Sequence, residues 1–469
     1  MKSVLYIVLL LSFTTVGQGN VGYLVEEMPL DSLQPANLRT HTSLKPAIRL
    51  NSPEKNTLSA TILGDLNLLS RQSTEYKLGI GAELEATINK KWYIRLAGIE
   101  GLSTVDSIFK PKSHLLLPQK TGELYTDIRS RVSYTPNHIF NFQIGLDHNF
   151  IGEGSRSLLL SDYGTSYPFG LIRANFWRFE YSVLYQFMKE GTQQNWEGKF
   201  MSSHHISFNP TKWLNIGIFE SVIFQPKDTN LFRGFDVEYL NPLVFYRPQE
   251  YALGSSDNVL LGLELSADWK EHTLYSQFIL DEFYLAELRA KSGWWANKFG
   301  GQVGVKGRFN LAGEKFFYRT EYNFVRPYTF SHLSQELNYG NQDYALAHPY
   351  GSNFMEVLGE LKWEDKKWTC SLFANYVLSG KDHDGYSYGG NIYASYTNRP
   401  YEYGHFIGQG IQENRFNGII TASYKVLRHG DLRVFAENHF RYSTQNNPNW
   451  NYMLVVGLRS RLWNDYRNY

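Results

Sequence analysis

The chain has 469 residues, and its 46 lysines and arginines nearly balance 45 aspartates and glutamates, which leaves a net charge of +1. This balance gives no general attraction to nucleic acid, so we expect no nucleic-acid partner. Mean hydropathy is −0.38, although 16% of the residues are aromatic. Since no Pro/Gly/Ser-rich linker divides the chain, we expect one large architecture rather than several soluble domains.

The N-terminus carries an apolar run over residues 4–13, preceded by Lys2 and followed by small residues. The run is shorter than the roughly 20 apolar residues that a membrane-spanning helix needs. We therefore predict a signal peptide over residues 1–19. The single cysteine, Cys370, cannot form a disulfide within the chain, and we interpret it as a small apolar filler.

A hydrophobic period of two runs through most of the chain after residue 56. Between Leu78 and Ile88 every second residue is apolar, and glycine, glutamate and threonine fill the alternate positions. Such alternation gives a β-strand one apolar face and one polar face. The pattern predicts eighteen strands, over residues 57–71, 77–89, 91–103, 122–135, 138–149, 169–176, 178–189, 200–209, 213–225, 259–269, 271–284, 297–309, 316–328, 355–364, 367–379, 414–427, 430–444 and 449–463.

The predicted connections alternate between short turns and long loops. The long ones are 104–121, 150–168, 226–258, 329–354 and 380–413. Tryptophans fall at strand ends, at positions 92, 177, 213, 269, 363, 368, 450 and 463. A secreted β-sandwich or propeller would not concentrate aromatics at strand ends, whereas a transmembrane barrel places them at the lipid headgroups. We therefore predict an all-β fold, a transmembrane antiparallel β-barrel of about 18 strands in the outer membrane, with short periplasmic turns and long extracellular loops.

The barrel is predicted to span residues 57–469, and the proline-rich residues 20–56 to form a periplasmic N-terminal segment or a plug-like arm. On this register charges of both signs face the lumen. The basic ones include Arg129, Arg131, Lys306, Arg308, Arg433, Arg441, Arg459 and Arg461. They either pair with inward carboxylates and fill the interior or line a conduit suited to an anionic polymer.

Three stretches resemble the Wzi-like capsule-assembly outer-membrane proteins, in the Bacteroidetes branch that includes the gliding-motility protein RemB. They are Phe150-Ile-Gly-Glu-Gly-Ser-Arg-Ser-Leu-Leu-Leu-Ser-Asp162, Asn241-Pro-x3-Tyr246-Arg-Pro-x-Glu250 and His41-Thr-Ser-Leu-Lys-Pro46. The matching positions are Gly152, Gly154, Arg156, Asp162, Tyr246, Arg247, Glu250, Asp257, Asn258, Asp281 and Glu282. The resemblance implies an eighteen-stranded barrel that acts at the cell surface in polysaccharide attachment, or in adhesion and gliding.

The predicted loop 380–413 is rich in tyrosine among Gly, Asn and Ser. Its candidate sugar-binding residues are Tyr386, Tyr388, Tyr393, Tyr396, Tyr401 and Tyr403. Flat aromatic faces can stack on sugar rings, although such side chains can also fold over the mouth and pack. The Asp382-His-Asp-Gly385 stretch supplies too few oxygens for calcium. We expect neither a metal nor a cofactor.

No Gly-x-Ser-x-Gly, His-Glu-x-x-His or Cys-His pattern is present, so we do not expect an enzyme. The expected function is binding or organisation of cell-surface polysaccharide, in capsule or slime assembly or in adhesion linked to gliding. The alternative is a substrate-selective, porin-like channel for small solutes or oligosaccharides. The expected partners are outer-membrane lipid, surface polysaccharide and other envelope proteins.

Overall fold

A computed structural model describes residues 38–39, 48–51, 56–70, 74–89, 91–104, 124–192, 195–228, 231–232, 234–241, 257–427, 432–445 and 449–460. These residues form a closed antiparallel barrel of eighteen strands. The strands are β1 Thr57–Ser70, β2 Thr74–Ile88, β3 Trp92–Ser103, β4 Leu124–Tyr134, β5 Phe140–Asp147, β6 Tyr167–Phe176, β7 Phe179–Thr192, β8 Asn195–Phe208, β9 Leu214–Phe224, β10 Asn258–Trp269, β11 His272–Glu282, β12 Lys298–Leu311, β13 Glu314–Val325, β14 Phe354–Glu364, β15 Trp368–Lys381, β16 Ile411–Lys425, β17 Leu432–Ser443 and β18 Asn449–Ser460. The predicted fold class and strand count are confirmed.

The barrel closes between its last and first strands, where β18 pairs with the outer half of β1 from Leu454↔Ser70 to Arg459↔Asp65. The segment Ile48–Asn51 pairs with the other end of β1, at Thr57–Ala60, which β18 does not reach. A second short segment, Leu38–Arg39, pairs with Phe150–Ile151 of the loop after β5. The signal peptide and the assignment of residues 20–56 remain predictions, because most of these residues lie outside the described part of the chain.

The strands are apolar outside and polar inside, the reverse of a soluble protein. On β2, Ile80 and Leu84 point outward with 55% and 47% of their surfaces exposed. The intervening Glu83 is 1% exposed and faces Arg95 of β3, which is equally buried. This is the arrangement that a lipid-embedded barrel requires, and it confirms the predicted register.

All the long connections lie at one rim. At the other rim no turn is longer than residues 426–431, whereas the opposite rim carries 104–123, 148–166, 225–257, 283–297, 326–353 and 382–410. Short turns are periplasmic and long loops extracellular in barrels of this kind. Among the described residues, no helix is both long and apolar enough to cross a membrane.

The tryptophan girdle is concentrated at the periplasmic rim. Trp92, Trp177, Trp213, Trp269 and Trp368 are exposed beside short turns, whereas Trp450 lies at the outer end of β18. Trp463 lies outside the described residues. The outer end of the lipid belt instead carries outward phenylalanines and tyrosines such as those of β11 to β13, as the aromatic preference for headgroups requires.

The predicted strand limits are least accurate at the hairpin of β7 and β8. The sequence predicts strands over 178–189 and 200–209, but the ladder runs on to Thr192↔Asn195. Near the tip of this hairpin the outward positions are Lys189 and its partner Gly198 rather than apolar side chains, which indicates that the hairpin extends beyond the lipid belt. Outside lipid the outward face no longer has to be apolar, and the alternation on which the prediction rests is lost.

Candidate functional site

The loop between β5 and β6, residues 148–166, folds into the lumen and is called the inner loop below. Its Leu158, Leu159 and Leu160 are completely buried. They belong to one apolar cluster with side chains of the barrel wall and of loop 326–353. Burial of this size is unusual inside an outer-membrane barrel, whose lumen is generally polar. The inner loop is therefore a packed element that fills part of the lumen.

Polar groups fix the inner loop to strands nearly opposite its own. The backbone N–H of Ser155 donates to Glu321 of β13 at 2.9 Å, and its hydroxyl donates to Glu360 of β14 at 2.7 Å. Arg156 lies 3.5 Å from Glu356, also of β14. Each carboxylate is an inward residue that the strand register predicts, but its partner across the lumen could not be identified from sequence.

Gly152 and Gly154 permit this close approach. Gly152 has φ of +127°, and a Cβ there would lie 2.2 Å from the Gln277 amide. A Cβ at Gly154 would lie 2.5 Å from the Glu321 carboxylate. The two family-matching glycines therefore serve packing against the lumen wall. Asp162, in the same loop, is half-buried.

The predicted lumen charges face inward, and most have an acidic partner. Arg129 pairs with Asp127, Arg131 with Asp147, Lys306 with Glu153, Arg433 with Glu364 and Arg459 with Glu437. Arg308 and Arg441 are half-buried on the same inward faces, and Arg461 lies outside the described residues. Pairing of this kind favours the interpretation that these charges fill the interior over the interpretation that they line a conduit for an anionic polymer.

Loop 326–353, called the packing loop, closes over the inner loop. Its Phe330, Tyr339 and Ala347 are completely buried in the same apolar cluster. The backbone N–H of Phe330 donates to Asp281 at 2.9 Å, and Lys199 of β8 donates to the carbonyl of Asn338 at 3.0 Å. The loop is thus fixed to the wall at several points.

Lys298 forms ion pairs with the buried Asp281 and with Glu282, whose side chain is partly exposed. The ladder of β11 and β12 bulges at Asp281, which turns this side chain inward. The Lys298 ammonium, completely buried, lies 3.3 Å from Asp281 and 3.0 Å from Glu282. These two family-matching positions therefore hold the rim of the barrel, as do Asp257, which accepts from Tyr239, and Asn258, which donates to Leu337.

Three family-matching positions, Tyr246, Arg247 and Glu250, lie outside the described residues. The prediction for them stays untested.

Loop 382–410, called the tyrosine loop, is fixed to the rim by Asn353. This buried residue has a positive φ of 59° and donates to the carbonyls of Gly380 and Gln409 at 3.2 and 3.0 Å. Its own side-chain oxygen accepts from Gly408 at 2.7 Å. Sequence reasoning missed Asn353, and only its preference for left-handed backbone among non-glycine residues could have pointed to it.

Two of the predicted sugar-binding tyrosines pack inward. Tyr393 lies against the apolar cluster, where burial raises the pKa of its phenol. Tyr396 packs on Trp295, with ring centroids 4.6 Å apart. The Arg399 guanidinium also lies over the Trp295 ring, 4.1 Å from its centroid. Trp294 and Trp295 belong to loop 283–297, so these contacts join two outer loops.

The remaining tyrosines lie toward the surface. Tyr386, Tyr401 and Tyr403 are 49%, 40% and 54% exposed, and the neighbouring Phe406 is 59% exposed. Tyr401 stacks on the buried His405 at 4.5 Å, while Tyr388 is half-buried and stacks on His383 at 4.4 Å. We call the four exposed rings the aromatic patch. Tyr401 is supported by this stacking, so little of its side-chain entropy would be lost on binding.

Two histidines of the packing loop are held in the neutral form. Burial lowers the pKa of His332 to about 4, and burial also lowers the pKa of His348 despite its contact with Glu356. In both rings Nδ1 accepts a backbone N–H two residues later, from Ser334 at 3.3 Å and Tyr350 at 3.2 Å. Protonation of Nδ1 would break these bonds. Among the described residues, no group of His, Cys, Asp or Glu is arranged to hold a metal ion.

No protein-family model and no curated protein matches the sequence. Among solved structures the chain is similar to Wzi of Escherichia coli, an outer-membrane protein involved in group 1 capsule assembly and a carbohydrate-binding β-barrel. The TM-score is 0.57 at 14% identity, covering 85% of this chain and 83% of Wzi. OprD of Pseudomonas aeruginosa is also similar, with a TM-score of 0.45 at 10% identity, covering 90% of this chain and 99% of OprD.

OccAB4 of Acinetobacter baumannii is similar as well, with a TM-score of 0.47 at 7% identity, covering 88% of this chain and 100% of that one. At 14% identity the likeness to Wzi concerns the fold. The lipid-facing apolar strands and the segregation of long loops to one rim agree with it. The chain is an outer-membrane β-barrel of eighteen strands with a Wzi-like fold.

Proposed function

We propose that this barrel binds or organises polysaccharide at the cell surface, in capsule or slime assembly or in adhesion linked to gliding. The observation that carries the proposal is the aromatic patch on a tightly fixed outer loop. Tyr401 and Tyr403 present phenol rings to solvent above a lumen that two loops occupy. Aromatic faces with a polar edge are suited to sugar rings, which are apolar on their faces and polar at their edges.

Packing in the lumen favours a binding protein over an open pore. The inner loop is fixed by Arg156, and its leucines lie in an apolar cluster that also includes the packing loop. The paired charges of the wall give few uncompensated groups to attract a permeating ion. Wzi, whose fold this chain shares, is a carbohydrate-binding barrel, and this supports the proposal without deciding the ligand.

The test is a comparison of exposed aromatics at the two rims. Tyr401→Ala with Tyr403→Ala should reduce binding of purified barrel to the strain's own extracted polysaccharide and reduce surface retention of that polysaccharide. The matched control is Trp177→Ala, because Trp177 is 81% exposed but lies at a periplasmic turn. Equal binding by the double variant and the control would contradict the proposal.

A gene deletion distinguishes the two functions. Loss of surface polysaccharide, or of spreading on agar, is expected if the barrel binds polysaccharide. Unchanged polysaccharide and spreading, with loss of uptake of a small solute, would favour the selective channel instead.

A further inference from the structure

The loop 283–297 places a short helix, Leu285–Arg289, on the outer rim of the barrel, and this helix buries none of its residues. Its apolar side chains are exposed, together with the two aromatic residues before it. Phe283, Tyr284, Leu285 and Leu288 are 41%, 55%, 45% and 40% exposed. Residues three or four apart share one face of a helix, so Leu288 lies beside both Tyr284 and Leu285. Four adjacent exposed apolar residues need a partner.

The helix is rigidly attached. The backbone N–H of Tyr284 donates to the Asn297 side chain at 2.7 Å, and the Tyr284 ring lies 5.9 Å from Trp294. After the helix, Ser292 caps it by donating to the carbonyl of Glu287. Since the backbone is fixed on both sides, the apolar face is a built surface rather than the side of an unfolded loop.

This face is continuous with the lipid belt. Phe278 of β11 faces lipid, and its ring lies 5.9 Å from Phe299 of β12. The Arg326 guanidinium covers Phe299 at 5.4 Å and donates to the carbonyls of Asn297 and Trp294. Only two residues separate the helix from the end of β11, so it lies next to the outer end of these lipid-facing strands, where acyl chains give way to headgroups.

The charges next to the helix are mainly basic. Arg289 and Lys291 are exposed, whereas the acidic Glu287 is half-buried and Glu282 is paired with Lys298. An apolar face flanked by exposed cations is typical of a helix that lies in a membrane interface beside anionic headgroups. A protein partner would be expected to cover the side remote from the lipid belt instead.

We propose that the helix Leu285–Arg289 binds a phosphorylated glycolipid of the outer leaflet. The apolar residues Tyr284, Leu285 and Leu288 contact its acyl chains, and Arg289 and Lys291 bind its phosphates. This contact is independent of the polysaccharide proposed for the aromatic patch. It fixes the rim against the membrane and sets the height of the outer loops above it.

The test places a polarity-sensitive fluorophore at Leu288→Cys in a Cys370→Ser background, reconstituted in vesicles that contain phosphorylated lipopolysaccharide. The matched control is Tyr403→Cys, on the exposed aromatic patch. At position 288 we expect blue-shifted emission, strong quenching by nitroxide-labelled lipid and weak quenching by iodide, with the reverse at 403. Iodide quenching as strong at 288 as at 403 would overturn the proposal, as would a blue shift that disappears when the protein is diluted in lipid, which indicates a second copy.

The phosphate contact has its own readout. Phosphorylated lipopolysaccharide should raise the unfolding temperature of the wild-type barrel more than its dephosphorylated form does, and inorganic phosphate should not reproduce the effect. Arg289→Gln with Lys291→Gln should abolish the difference between the two glycolipids. A difference of unchanged size in this variant would overturn the assignment of the phosphates to these side chains.

Discussion

The Arg156 guanidinium lies 3.5 Å from the Glu356 carboxylate, and both side chains are buried inside the barrel. Arg156 belongs to the inner loop and Glu356 to β14, nearly opposite in the ring of eighteen strands. Glu356 also accepts from His348 at 2.8 Å and from Asn375 at 2.6 Å. One carboxylate therefore fixes the inner loop, the packing loop and the barrel wall to one another.

Replacing Glu356 by leucine should strongly destabilise the outer half of the barrel. Removing one partner of a buried ion pair typically costs about 3–5 kcal/mol, because the other charge is left without compensation. We expect Arg156→Leu with Glu356→Leu to be less unstable than the sum of the two single variants. Urea unfolding of the four proteins measures this coupling, and additive losses would show that the pair contributes nothing by itself.

The same pair should control conductance. A purified wild-type barrel in a planar bilayer is expected to pass little current, because the inner loop is packed in the lumen. The Arg156→Leu variant releases one anchor of this loop, so its open events should be larger and more frequent. A large, stable wild-type current would contradict the packed lumen and favour the selective channel.

Two tyrosines of the same loop should behave differently. Tyr393→Ala removes a ring packed against the apolar cluster and should cost about 3 kcal/mol of the free energy of unfolding. Tyr403→Ala changes an exposed ring and should leave this free energy nearly unchanged while weakening sugar binding. Thermal unfolding separates the two effects, and equal loss of stability would show that Tyr403 is also a packing residue.

Acidification should loosen the packing loop. The pKa of His332 is lowered to about 4, so the folded loop disfavours a proton that the unfolded chain accepts with a pKa near 6.5. The resulting stability is fully present above pH 6.5 and is lost as the pH falls from there toward 4. Protease sensitivity of the loop should rise over this range, and His332→Gln should reduce that rise. A sensitivity that does not change between pH 7.5 and pH 4.5 would contradict this assignment.

The strands were predictable from sequence because lipid imposes one rule on every outward position. Leu84 and Ile80 must be apolar wherever β2 crosses the membrane, so the period of two reports the fold directly. The loops obey no such rule. Whether Tyr393 packs inward and Tyr403 outward depends on contacts with the packing loop, which is far away in sequence.

The candidate site was therefore predictable by residue type but not by role. The glycines at 152 and 154 indicated close backbone approach, yet the groups they approach, Gln277 and Glu321, lie on distant strands. Asn353 differs, because its partners Gly380 and Gln409 become its neighbours through the successive pairing of β14, β15 and β16. Neither kind of contact carries a local sequence signal.

The final prediction tests the lipid-facing register by depth along β2. Ile80 lies near the middle of Thr74–Ile88, whereas Leu84 lies nearer its periplasmic end, and both point outward. Ile80→Arg should cost about 2–4 kcal/mol and Leu84→Arg less, because the penalty for a charge falls toward the interface. Ile80→Phe and Leu84→Phe, which keep the face apolar, are the controls, and folding into vesicles followed by urea unfolding measures all four. If both arginines were tolerated as well as the phenylalanines, these positions would not face lipid, and the register of β2 against β1 and β3 would have to change by one residue.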